Sequence, residues 1–194
     1  MRAIDAATRS GAGPSDAALV IAARAGEEWA RQALFQRHAR AVNGLAYRLM
    51  GRDADVDDLV QDSFVTAFAG LHGLDDPQAF AAWLGSIVVR TAGKVIRRRV
   101  LLERLGLRRR REPIDIDGVA ARSAGPEVAA ELRHVYGRLD RLPAEERIAF
   151  LLRRVEGMEL EEVAQKMGIS LATAKRRIAA AQQAVERWAD RERP

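Results

Sequence analysis

The 194-residue chain contains no cysteine, which excludes disulfide frameworks, thiolate metal sites and cysteine nucleophiles together and fits a reducing compartment. Histidine is almost as scarce: His38, His72 and His134 are the only three, and none lies at ligand or triad spacing with carboxylates. Glycines are scattered singly, so no glycine-rich loop is available to cradle a phosphate. The acidic group Asp53, Asp55, Asp57, Asp58 and Asp62 lacks the glycine and terminal glutamate of a calcium loop and reads as helix capping plus a solvated face. No catalytic residue, metal or cofactor is therefore expected, and the protein is expected not to be an enzyme. No apolar run approaches the about 20 residues of a bilayer-spanning helix, and the polar start MRAIDAATRSGAGPSD has no signal-peptide core. A cytoplasmic protein without membrane insertion is expected.

What is present is a globular composition, 48% apolar and 30% charged, with enough chain for one or two small cores. The net charge of +5 is concentrated. Residues 90–111 (RTAGKVIRRRVLLERLGLRRRR) hold ten Lys/Arg against one acid, a local +9, whereas residues 1–89 stand at −3 and residues 112–194 at −1. Such a cluster is either a solvated basic run or the footprint of a polyanion, for which nucleic acid is the common cytoplasmic candidate.

Apolar spacing is helical almost throughout. Ser15-Asp16 caps a first helix through Leu19, Val20 and Ala23, and Ala33 to Leu49 marks a second that stops near Gly51. Val56, Leu59, Val60, Phe64 and Phe68 mark a third behind the acidic group. Asp75-Asp76-Pro77 opens a fourth running through Phe80, Trp83, Leu84, Ile87 and Val88 into the arginines. PIDIDGVAARSAGP (113–126) reads as a linker. Beyond it come Leu132–Leu142, ended by Pro143, then Ile148–Val155, Leu160–Met167 and Leu171–Trp188. The expected fold is all-α: two small helical domains joined by a flexible linker, with a disordered tail at 1–14, domains at 15–100 and 127–190, and the linker at 101–126.

The segment LEEVAQKMGISLATAKRRI (160–178) has the parts of a helix-turn-helix. Ala164 is small where two helices approach, Gly168 supplies the positive φ of a sharp exit, and Ser170 caps the next helix. Val163, Met167, Ile169, Ala174 and Ile178 form the buried seam. Ser170, Leu171, Thr173, Lys175, Arg176 and Arg177 then fall at the start of the second helix, where such motifs meet base edges and phosphates. A generic helical hairpin with a cationic face is the alternative.

The stretch from Arg141-Leu-Pro143 through Glu156-Gly157 and Glu162-Val-Ala164 to Gly168-Ile-Ser170 and Lys175-Arg-Arg177 resembles region 4 of bacterial extracytoplasmic-function sigma factors. Asp57-Asp58-Leu59-Val60-Gln61-Asp62-Ser63-Phe64, followed by Phe80-Ala-Ala-Trp83-Leu84 and the arginines, resembles region 2 of the same family, in the family's order. The resemblance spans roughly residues 15–100 and 127–188. It implies a non-enzymatic subunit that binds core RNA polymerase, through the β′ clamp helices and the β flap, and directs it to promoter DNA. By the same resemblance Asp57, Asp58, Leu59, Gln61, Asp62 and Phe64 face the polymerase, although Leu59 and Phe64 are equally suited to a core. Trp83, Arg90, Lys94, Arg97 and Arg98 serve the −10 element, with residues 74–78 around an unstacked base, and the helix from Ser170 reads the −35 element. An anti-sigma factor is implied by the family alone. Residues 100–126, fully extended, span at most about 90 Å, enough for two domains to sit on two elements of one promoter.

Departures from the family pattern leave the promoter sequence open: Arg90 and Lys94 stand where Asn and Asp are frequent, Ala180 and Gln182 where arginine is common, and Ala174 where valine is frequent. Two other classes remain. A freestanding helix-turn-helix repressor would leave residues 53–99 unexplained, and a helical adaptor would turn its arginines to acidic proteins or RNA.

Overall fold

The computed structural model describes residues 13–51, 55–107 and 136–190, and all regular structure among them is helical. The N-terminal group comprises α1 (Asp16–Arg24), α2 (Glu28–Met50), α3 (Asp55–Ala69) and α4 (Phe80–Arg104), and the C-terminal group comprises α5 (Ala144–Arg154), α6 (Leu160–Met167) and α7 (Leu171–Asp190). The expected linker at 113–126 and residues 132–135 of the helix expected from Leu132 lie outside the described residues, as do residues 1–12 of the expected tail; residues 136–139 are helical as expected.

Local chemistry sets the helix ends. Ser15 caps α1 by accepting from the Ala18 N–H at 3.3 Å, and Gly51 takes the positive φ that ends α2. Asp76 accepts from the Gln78 N–H at 2.9 Å and opens a 3-10 turn, Pro77–Ala79, that leads into α4. Proline thus occupies a first turn, where its missing N–H costs nothing. The chain does not leave α4 at residue 100: Leu101 and Leu102 continue the helix and Arg99 reaches Glu103 one turn on. The helix ends at Arg104, before Gly106 with φ 69°.

In the first group, Leu34, Leu49, Leu59, Phe80, Leu84 and Val88 are fully buried between α2, α3 and α4. In the second, Ile148, Leu151, Leu152, Val163 and Ala174 close α5, α6 and α7 on one another. The span Pro77–Arg104 contains an 18-residue window of mean hydropathy 1.3, long and apolar enough by composition to cross a membrane. This corrects the expectation that no such run exists. Half of that window is buried inside the protein, because α4 is the central helix of its group and its inward face is continuous apolar surface.

The two groups also touch. α4 packs against α5 and α6, and α2 meets α5. Gly93, buried on α4, packs on Ile148 of α5, whose Cδ1 lies 3.5 Å from where a Cβ would stand, an ordinary contact distance. The two helical domains expected from the sequence are present, and their helices also pack on one another.

Candidate nucleic-acid interface

The helix-turn-helix is built as its residue types require. A capping box starts α6: the Glu159 N–H donates to Glu162 at 2.7 Å while the Glu159 side chain accepts from the third helical N–H. Gly168 ends it with φ 66° and ψ 41°, left-handed geometry that a side chain would strain. Ser170 then accepts from the Thr173 N–H at 3.2 Å, capping α7, and shares a 2.9 Å hydrogen bond with the Thr173 hydroxyl. Val163, Ala164 and Ala174 are buried in the seam, with Met167, Ile169 and Ile178 packed on its edge.

Among the expected recognition residues, Ser170, Leu171, Lys175 and Arg176 are exposed, whereas Thr173 and Arg177 are half-buried. Gln182, standing where an arginine anchor is common, instead accepts from Arg154 of α5 and donates to Glu186 at 3.0 Å. It braces α7 against α5.

Arg90, Lys94, Arg97 and Arg98 are all exposed on α4, and their spacing places them on one face of the helix. Trp83 is half-buried, its ring centroid 6.2 Å from that of Phe80 and its edge against Gly70. The preceding loop is held by a residue that sequence reading missed. Arg24 of α1 donates to the Leu71 carbonyl at 3.1 Å and also to the Leu74 carbonyl. Leu74 itself is buried, while Asp75, Asp76 and Gln78 project outward. Nothing local marks Arg24, since it acts about fifty residues away.

On α3, Asp57, Asp58, Gln61 and Asp62 are exposed and form an acidic face. Leu59 and Phe64 are not on that face: they are 0% and 3% exposed, and Phe64 packs on Phe35 with centroids 4.7 Å apart. Both fix α3 from inside. The acidic face continues into a recess against Val95, Arg98, Arg99 and Leu102 of α4.

Between the groups lie ion pairs that the sequence did not reveal. Arg48 donates to both carboxylate oxygens of Glu156 through its Nε and Nη2, the Nη2 bond measuring 3.0 Å. That hydrogen bond raises the Arg48 pKa above its ordinary value. Arg97 pairs with Glu145. Burial alone would raise the Glu145 carboxyl, but a backbone N–H, Arg97 and then Arg177 hold it below its usual value. Asp140 is shared by Arg99, at 3.1 Å, and Arg147. Arg147 is 0% exposed, and its Nε and Nη2 have no hydrogen-bond partner among the described residues. Burial lowers its pKa, with Asp140 opposing.

The two helical groups coincide with two sigma-70 family regions, which places the chain in the sigma-70 class. The Sigma-70 region 2 profile matches residues 34–100 and the Sigma-70, region 4 profile residues 132–184. The chain is 34% identical over 152 residues to the ECF RNA polymerase sigma factor SigE of Mycolicibacterium smegmatis, covering 75% of this chain but 56% of that relative. It is 32% identical over 167 residues to SigM of Mycobacterium tuberculosis, covering 86% and 81% respectively. The ECF sigma-E factor of Escherichia coli is 28% identical over 186 residues, 89% of this chain and 93% of that one. Among solved structures, CnrH in complex with the cytosolic domain of CnrY superposes with a TM-score of 0.60 at 28% identity, over 93% of this chain and 100% of that one. The sigma factor RpoE of Bartonella quintana, in complex with the anti-sigma factor NepR, shares the fold, with a TM-score of 0.57 at 20% identity over 84% and 98%. The chain belongs to the ECF RNA polymerase sigma factors.

Proposed function

We propose that this sigma factor docks on core RNA polymerase through the acidic face of α3 and engages two promoter elements, one with each module. The observation that carries the reading is the separation of the three surfaces. Asp57, Asp58, Gln61 and Asp62 line α3; Arg90, Lys94, Arg97 and Arg98 line one face of α4; and Lys175 and Arg176 project from the capped start of α7. An exposed acidic helix suits a basic protein partner, because charge complementarity steers encounter and sets register. The β′ clamp helices are assigned that place and the β flap the C-terminal module.

Cations on α4 neutralise phosphates whatever the sequence, so this helix supplies grip beside the −10 element. Trp83 and the loop held by Arg24 supply the edge against which an extruded base is placed, at an unstacking cost of a few kcal/mol. Lys175, Arg176 and the capped turn at Ser170 meet the −35 element, as the first turn of a recognition helix does. The protein supplies no chemistry of its own; bond formation stays with the polymerase, in the cytoplasm. Solved relatives bound to the cytosolic domain of CnrY and to NepR support an anti-sigma factor as a further partner.

Run-off transcription with core enzyme over a genomic promoter library tests the reading. Specific transcripts are expected with the complete chain and are expected to vanish with Arg176→Glu/Arg177→Glu. Tight binding of the protein alone to a palindrome, with no polymerase dependence, would replace this reading with a freestanding repressor.

A further inference from the structure

Three carboxylates of the C-terminal module each hold an arginine of the N-terminal module: Asp140 with Arg99, Glu145 with Arg97, and Glu156 with Arg48. The polarity is the same in all three, acid from one module and cation from the other. Glu145 is placed between the two nucleic-acid helices, since it pairs with Arg97 of α4 and also faces Arg177 of α7. We propose that these carboxylates form an intramolecular latch that closes the unbound chain and occupies the α4 arginines until a row of phosphates displaces them.

One of the occupied cations, Arg97, belongs to the exposed α4 face that a duplex would seek, while Arg99 is buried and Arg48 lies on α2. Individually, partly exposed pairs contribute little and are screened by salt. Together with Ile148 seated at Gly93 they set one defined docking. A polyanion competes well because neutralising its phosphates releases condensed counterions. The buried cluster also eases opening. Asp140 is divided between two arginines, while Arg147 keeps two nitrogens without a partner among the described residues. When Arg99 leaves for solvent or phosphate, Asp140 turns wholly to Arg147.

The masking of α4 rests on the proposed promoter role of Arg97; the latch does not, and the test separates the two. The absence of cysteine allows a clean labelling pair, Gln36→Cys on α2 and Gln183→Cys on α7, both exposed. Energy transfer across that pair in the full chain without polymerase is expected to fall between about 50 and 500 mM salt, as screening weakens the pairs. At the lower salt it should fall in Glu145→Gln/Glu156→Gln, a variant that spares Asp140 and so leaves Arg147 its partner. The reciprocal swap Arg97→Glu/Glu145→Arg should restore transfer that Arg97→Glu alone loses, which a merely misfolded variant would not do. In parallel, the Glu145→Gln/Glu156→Gln variant should bind a fluorescein-labelled duplex without polymerase about tenfold more tightly, a gain of one or two freed phosphate contacts. The control Glu28→Gln/Glu186→Gln, with the same charge change on exposed surface, should gain clearly less. Unchanged transfer in the variant, or no rescue by the swap, overturns the latch. Lost transfer with no affinity gain beyond the control overturns the masking, and with it the placing of Arg97 on promoter DNA.

Discussion

At the scale of single residues, the side chains that position the candidate site differ from those that face a partner. Arg24 illustrates the first kind. Its guanidinium ties two carbonyls of the loop before α4, at Leu71 and Leu74, and so sets where Asp75, Asp76 and Gln78 project. Charge-assisted bonds to part-buried carbonyls are costly to remove, about 1–3 kcal/mol. Arg24→Ala is expected to lower the denaturation midpoint by a corresponding amount. It should also slow promoter opening more than promoter binding, as read by permanganate footprinting against filter binding. Equal losses in both would return Arg24 to a purely structural role. Ser170 acts at the same scale: its cap on α7 was legible from the serine following Gly168, whereas nothing in the sequence pairs Arg24 with a loop some fifty residues on.

At the scale of the element, α3 has two faces that the sequence presented as one motif. Asp57, Asp58, Gln61 and Asp62 face solvent, while Leu59 and Phe64 lie in the core; helical periodicity implied this division, and the family motif obscured it. Asp58→Lys/Asp62→Lys should therefore weaken association with core polymerase while moving stability by no more than about 0.5 kcal/mol per site, as exposed substitutions do. Leu59→Ala should cost about 2–5 kcal/mol through the cavity it leaves. Parallel measurement of polymerase affinity and chemical denaturation checks both, and an unaltered affinity in the charge-reversed variant would remove α3 from the docking surface. On α7 the same distinction applies. Lys175 and Arg176 are exposed, whereas Arg177 is half-buried beside Glu145. Replacing either exposed cation with alanine should reduce the salt slope of duplex binding by about 1, with little effect on sequence preference if the contact is to phosphate. A binding isotherm series in potassium chloride reads this directly.

At the scale of the whole molecule, helix boundaries and the helix-turn-helix were legible because they rest on local signals: caps, glycines and the 3.6-residue apolar period. The docking of the two modules was not, since Arg48 and Glu156 are 108 positions apart and no periodicity relates them. The +9 cluster at residues 90–111 was visible in the sequence, but it reads equally well as a footprint for DNA. The pH dependence of closure follows from the same pairs. Glu145 is held below its ordinary value, so its contribution is complete above that value and is lost only as pH falls through the lowered one. Arg48 is raised, so its contribution is present below its ordinary value and is lost only as pH rises through a still higher one. Energy transfer between the α2 and α7 labels should therefore be level from about pH 9 down to about pH 5 and decline only in more acid solution. A transition near neutrality would mean that some other titrating group governs closure, whereas a level profile that falls with salt marks the modules as held by permanently charged pairs, responsive to polyanions and indifferent to physiological pH.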